Sequence, residues 1–205
     1  KPQPAIAALA KLDQLKGTKV ILGPGLSCDK KACKTFIDMN HSPSTYPRSP
    51  RGSARSCSDP RYVTVDLGKI YQIHSVAVWN YYADKRRYCG QKISMSLNGR
   101  FEGEEAVVMD HKGKWGPVET AAGNTYVVPD SVHKTARYVR YYSARNNRNA
   151  GVHMVELDVY GLATPIPPPG VDINLDQLKG VKVMMGPGLR SKKANAMIDM
   201  DSHYR

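Results

Sequence analysis

Tyr62-Val-Thr-Val-Asp-Leu-Gly68 alternates apolar and polar residues, sets Val63, Val65 and Leu67 on one face, and closes on a glycine. A period of two is the signature of a half-buried strand, because successive side chains of an extended chain point to opposite faces. The pattern recurs downstream. Ser75-Val-Ala-Val-Trp79 carries it with Val76 and Val78, and Ile93-Ser-Met-Ser-Leu97 carries it ahead of the turn pair Asn98-Gly99. Ala106-Val-Val-Met109, Thr125-Tyr-Val-Val128 and Ala136-Arg-Tyr-Val-Arg-Tyr-Tyr142 are further strands. A last one aligns Val155, Leu157 and Val159 before Gly161. Short alternating runs divided by turn residues predict an all-β fold, an antiparallel β-sandwich. Helical patterning is confined to Lys31–Met39, enough for one short helix or turn.

The chain also repeats itself. Residues 12–26 read LDQLKGTKVILGPGL and residues 175–189 read LDQLKGVKVMMGPGL; the match resumes at Ile37-Asp38-Met39 and Ile198-Asp199-Met200. Self-similarity at the spacing of one domain marks tandem modules. Between the copies stands Thr164-Pro-Ile-Pro-Pro-Pro-Gly170, whose prolines favour a stiff extended spacer. The organisation expected is an N-terminal linker over 1–11, one complete module over 12–163, a Pro-rich linker over 164–171, and the truncated start of a second repeat over 172–205. No secretory leader opens the chain at Lys1, so secretion would imply that one has been removed.

The 205 residues carry a net charge of +12. A surface this basic attracts anions such as acidic polysaccharide, acidic lipid or nucleic acid. No RNA- or DNA-binding motif accompanies the charge, so nucleic acid is not an expected partner. No apolar run approaches the ~18 residues of a membrane helix. Catalytic signatures are missing as well: there is no Gly-x-Ser-x-Gly, no His-Glu-x-x-His, no phosphate loop and no dinucleotide fingerprint, and the six histidines are scattered singly. The reading is a protein that is not an enzyme.

Cys28, Cys33, Cys57 and Cys89 form no Cys-x-x-Cys pair. An even number in a chain of this kind favours disulfides and an oxidising, extracellular setting, secreted or on the cell surface. Four cysteines allow three pairings. The second copy has Arg190-Ser-Lys-Lys-Ala-Asn-Ala-Met197 where the first has Cys28 and Cys33, so both cysteines vanish together. That hints at Cys28–Cys33, with Cys57–Cys89 following by elimination.

One ordered set of segments now matches a known pattern. It runs from Ala32 through Ile37-Asp38-Met39-Asn40 and Ser44-Thr45-Tyr46 to Val65-Asp66-Leu67-Gly68. It continues with Ile73-His-Ser-Val-Ala-Val78 and Ala136-Arg-Tyr-Val-Arg140, and ends at Glu156-Leu-Asp-Val-Tyr-Gly161. Over about 20–163 the chain resembles discoidin-type (coagulation factor 5/8 type C) domains, which include many family 32 carbohydrate-binding modules. Departures are Met39 where the family usually has Gly, Tyr46 where it usually has Trp, and the long insertion Pro47–Pro60. The resemblance implies a jelly-roll sandwich that binds ligands with the loops at one end.

Two candidate sites follow. The resemblance implies a structural calcium ion held by oxygens of Asp38, Asn40 and Thr45 in one irregular loop, completed by Glu156; hard oxygen donors are what calcium selects. The bland alternative is that Asp38 caps a turn without metal. The second candidate is the rim formed by Asn80–Cys89 and Ser143–Asn149, which offers Tyr81, Tyr82, Arg86, Arg87, Tyr88, Arg145 and Arg148. Aromatic faces stack on sugar rings, and Arg forks onto carboxylate or sulfate. The bland alternative is that the tyrosines pack the loop around a disulfide. The expected function is an extracellular carbohydrate-binding or adhesion module for an anionic glycan. A structural repeat of a fibre or coat, contacting neighbouring copies, is the alternative. An acidic lipid surface ranks behind both, because the rim offers Tyr rather than exposed pairs of Leu or Phe.

Overall fold

The computed structural model describes residues 9–28, 33–45, 47–163 and 165–166. The second copy, the Pro-rich linker and most of the N-terminal linker lie outside these residues. Twelve strands run in chain order: β1 (Ala10–Lys11), β2 (Lys19–Leu22), β3 (Leu26–Ser27), β4 (Arg51–Ser53), β5 (Arg61–Asn80), β6 (Arg87–Cys89), β7 (Lys92–Ser96), β8 (Ala106–Asp110), β9 (Trp115–Val118), β10 (Asn124–Val127), β11 (Thr135–Ser143) and β12 (Gly151–Gly161). The helical segments among the described residues are short 3-10 turns, one of them Cys33–Ile37 within the expected helix or turn. Every pairing between named strands is antiparallel. The expected antiparallel β-sandwich is the fold observed.

The two alternating runs at 62–67 and 75–79 are one strand. The first half of β5 lies between β2 and β11, with β7 and β8 beyond β11. Its second half lies between β12 and β10, with β1 on the far side of β12. The chain passes from one layer to the other at Gly68, whose φ of 79° is open to glycine at no steric cost. Val63, Val65 and Leu67 face the core before the bend, and Val76 and Val78 face it after. The change from odd to even positions has a local cause. Gly161 pairs with Ile73 but Tyr160 with Ser75, so His74 is one residue more than its partner strand supplies. One extra residue in a strand moves every following side chain to the opposite face.

The core is one cluster drawn from both layers, including Ile93, Met95, Val139 and Tyr141 from one and Met154, Leu157 and Val159 from the other. A small second cluster joins Ala77, Trp79 and Val155, with Tyr81, Tyr82 and Tyr160 packed on it. Ala10 and Lys11, placed by sequence at the end of a linker, pair with Gly161 and Tyr160 and close the edge of β12. Cysteines pair as Cys28–Cys33 and Cys57–Cys89. The second bond fastens the Pro47–Pro60 insertion to the end of β6, beneath the candidate rim.

Candidate functional site

β5 ends at Asn80 and delivers the chain into the first rim loop, and β11 ends at Ser143 and delivers it into the second. The two loops are laced together. Arg87 N–H donates to Asn147 Oδ1 at 2.9 Å, and Asn147 N–H returns a bond to Arg87 O at 3.0 Å. Cys89 N–H donates to Arg145 O at 3.2 Å, and Arg148 Nη2 reaches Asp84 O at 2.7 Å. Within the second loop Asn146 Oδ1 accepts from the N–H groups of Arg148 and Asn149. A loop bonded at this density holds its side chains in place before a ligand arrives, which reduces the entropy lost on binding.

The seven expected rim side chains divide by burial. Arg87 and Arg148 are exposed, while Tyr81, Tyr82 and Arg145 are half-buried. Arg145 Nε is buried with no hydrogen-bond partner among the described residues. Tyr88 is 0% exposed and Arg86 8%, so these two hold the rim from below. Arg86 forks onto Asp84, with Nε–Oδ1 at 2.7 Å and Nη2–Oδ2 at 2.5 Å. Its guanidinium lies 4.6 Å from the centroid of the Tyr81 ring. The Arg86 Nη1 donates to His153 Nδ1 at 2.8 Å. Burial, reinforced by the charge of Arg86, lowers His153 to about 4, so the ring is neutral and accepts at Nδ1. Asp84 in turn is held below the ordinary carboxylate range, first by its bond to Arg86.

Beneath the rim lies a polar cluster that sequence inspection did not single out. Asn80, Gln91, Glu119 and Tyr141 are each at most 1% exposed. Asn80 Nδ2 and Gln91 Nε2 both donate to Glu119 Oε1, at 2.8 and 2.9 Å, and both reach Tyr141 Oη, at 2.8 and 3.0 Å. Asn124 Nδ2 donates to Glu119 Oε2 at 3.0 Å. The Glu119 backbone N–H binds Arg86 O, which anchors the rim loop itself. Burial raises Glu119 to about 6, and the amide donors keep it from rising further. The only sequence signal was a lone acidic residue between strands, which carries no pattern.

The expected calcium ligands lie on two elements that meet. Met39 N–H donates to Glu156 Oε1 at 2.9 Å. Met39 adopts a φ of 66° at the position where the resemblance expects glycine. Glu156 is 0% exposed and its Oε2 has no hydrogen-bond partner among the described residues. Burial, then the charges of Asp158, Asp38 and Asp13, push it up to about 9 against the Met39 bond. Asp38 Oδ1 accepts from Asn40 N–H, Asn40 Oδ1 from Ser42 N–H, and Thr45 Oγ1 donates to Ser42 O. Asp38 therefore caps the turn. Among the described residues no three His, Cys, Asp or Glu side chains converge as a metal cluster. The buried oxygen of Glu156, without a hydrogen-bond partner among the described residues and with Asp38 near enough to act on it, fits a hard cation. A neighbouring carboxylate, Asp158, takes its partners on Oδ2, while its Oδ1 is buried without one among the described residues. It binds Lys11 Nζ at 2.7 Å, His41 Nε2 at 3.2 Å and Tyr160 Oη at 2.8 Å, and His41 stacks on Trp79 at 3.8 Å.

The sequence matches no protein-family model and no curated protein. Its backbone does match solved structures. The family 32 carbohydrate-binding module from Clostridium perfringens NanJ, in complex with galactose, aligns over 75% of this chain and 99% of its own. Its TM-score is 0.52 and its identity 17%. This is the fold of the family 32 carbohydrate-binding modules. A second such structure, CpGH89CBM32-5 from C. perfringens in complex with GalNAc-β-1,3-galactose, aligns over 73% of this chain and 99% of its own, with a TM-score of 0.50 and 15% identity. A family 89 glycoside hydrolase from the same organism aligns over 77% of this chain, with a TM-score of 0.55 and 19% identity. The chain spans only 15% of that hydrolase's length.

Proposed function

We propose that this chain is a non-catalytic extracellular carbohydrate-binding module whose rim takes an anionic glycan. The observation that carries the reading is the rim itself. Arg87, Arg145 and Arg148 stand beside Tyr81 and Tyr82 on two loops laced together by Asn146, Asn147 and Asp84. The family 32 fold supports it, since solved modules of that fold hold galactose and GalNAc-β-1,3-galactose. The two disulfides support an oxidising compartment. Single exposed charges bind weakly, so affinity per module is modest, and tandem copies raise it by multivalency.

Arg148→Glu and Arg87→Glu test the rim. Each should weaken binding to an acidic glycan panel by about five- to ten-fold, with the loss shrinking as salt is raised. Full binding by both variants would remove the rim and put the structural-array reading first. Arg86 is unsuitable for this test, because reversing a buried charge would collapse the loop instead of probing its surface.

The calcium reading belongs to the same proposal. Asp38, Asn40, Thr45 and Glu156 would hold the ion, which would pin the loop at 38–45 to the middle of β12 and carry no reaction. At calcium a hundred-fold above its dissociation constant, binding adds about 2.7 kcal/mol. Chelation should therefore lower the melting temperature by roughly 5–10 °C. Glu156→Gln should lose that response; an unchanged melting temperature with chelator would count against the ion.

A further inference from the structure

We propose that Trp115, His111, Lys112 and Lys114 form a second binding subsite, for an acidic sugar unit, which shares no residue with the rim. The turn between β8 and β9 carries it. Of the large apolar side chains left exposed among the described residues, Trp115 is the only aromatic one, at 42%. It stands on a paired strand opposite Cys89, whose disulfide to Cys57 fixes the position. With Asp110, these four residues line a groove of about 270 Å³. Lys112 and Gly113 both take positive φ, at 49° and 74°, and Lys114 N–H closes the turn onto His111 O at 2.9 Å. Lysine in that conformation is unusual, and such positions cluster where a side chain has to be presented.

His111 contributes a defined lone pair. Gln91 Nε2 donates to Glu119 Oε1 at 2.9 Å, and a carboxylate oxygen can only accept, so the orientation of the Gln91 amide is set. Gln91 Oε1 then faces His111 Nδ1 at 3.1 Å, and an amide oxygen also only accepts. The proton of His111 therefore sits on Nδ1. Burial holds the ring below its ordinary range, which leaves it neutral with an acceptor at Nε2. Gly116 protects this arrangement. A Cβ there would stand 1.9 Å from Gln91 Oε1 and 3.0 Å from His111 Nδ1.

The groups select a ligand class. An exposed indole takes the C–H face of a pyranose, the histidine acceptor takes a hydroxyl, and two ammonium groups take a carboxylate or sulfate. A uronic acid or sulfated hexose carries all three features on one ring. Across Asp110 and Lys112 the groove adjoins another of about 490 Å³, lined in part by Lys92, Phe101 and Tyr142. A linear acidic chain has room to continue there.

The test is a titration of the 205-residue chain with an oligogalacturonate and a heparin oligosaccharide, followed by tryptophan fluorescence. The other tryptophan, Trp79, is 7% exposed, so the response should come from Trp115. Both acidic sugars should shift the emission, while lactose should not. Trp115→Phe should abolish the shift at an unchanged melting temperature. Lys112→Glu with Lys114→Glu should weaken binding about ten-fold or more. Arg148→Glu should leave the Trp115 signal in place, which separates this subsite from the rim; Arg87 does not serve here, because its Nε donates to Gly116 O at 2.7 Å beside Trp115. The proposal is overturned by a shift that survives Trp115→Phe, by an equal response to lactose, by no response to either acidic sugar, or by a tighter response to a mononucleotide.

Discussion

Glu119→Ala should cost about 3–5 kcal/mol, the range for removing one partner from a buried charged network. The carboxylate receives Asn80 and Gln91 on one oxygen and Asn124 on the other. Deleting it takes one acceptor from Asn80, Gln91 and Asn124 at once, with Tyr141 Oη left to the first two, and each donor left unpaired costs about 1–3 kcal/mol. The loss should appear as a lower urea midpoint. It should come with weaker binding at Trp115, because Gln91 loses the bond that orients it toward His111. Glu119→Gln should cost less, since one amide oxygen still serves Asn80 and Gln91 while the new NH2 faces the Asn124 donor. The same residue gives a pH signature. Its folded value of about 6 lies above the ordinary 4.5, so between these values the native state binds more protons than the unfolded one. Stability should therefore fall as pH rises through that window, by about 2 kcal/mol in all. Glu119→Gln should remove this component, and an unchanged profile in that variant would assign the titration elsewhere.

Removing the Cys57–Cys89 bond, with both cysteines replaced by serine, should cost about 3–4 kcal/mol. The bond closes a loop of 32 residues, and loop-closure entropy at that length amounts to about 3.7 kcal/mol in the chain-entropy model. The functional consequence is local. Cys89 N–H and O bond the second rim loop at Arg145 and Ala144, and Cys89 pairs with Trp115 on β9. The double variant should therefore lose affinity at the rim and at Trp115 together. The Cys28–Cys33 bond spans a separation of 5 and closes a loop remote from the rim in sequence. Its removal should cost less, about 2 kcal/mol by the same relation. Unfolding curves of the two serine variants, compared in one buffer, would check the order; equal losses would contradict it.

Alternation of single residues was enough to place β5, β7, β8, β10, β11 and β12, whereas the short strands β1 to β4, β6 and β9 carry no such pattern. Val63, Val65 and Leu67, then Ile93 and Met95, then Leu157 and Val159 announce buried faces, because in an extended chain burial is a property of every second residue; Val155, expected on that last face, packs instead with Ala77 and Trp79, because β12 is bulged between Met154 and Glu156. Those runs, the turn residues between them and the paired loss of Cys28 and Cys33 determined the fold class and hinted at the disulfides. The runs at 62–67 and 75–79 did not disclose that they are one strand crossing between layers. That depends on a positive φ at Gly68 and one unmatched residue at His74, and a bulge is defined by the partner strand. The rim was legible as composition, three tyrosines among basic residues, but composition cannot tell Tyr88 and Arg86, which are buried, from Arg87 and Arg148, which are exposed. Asn80, Gln91, Glu119 and Tyr141 lie far apart in the chain and follow no spacing rule. Trp115 lies between the expected strands and carries no pattern until β9 pairs with β6 and leaves its ring in solvent. Periodicity is a local property of the chain, and it placed the longer strands; which polar atoms meet, and which aromatic stays uncovered, depends on long-range pairing that only the tertiary structure decides.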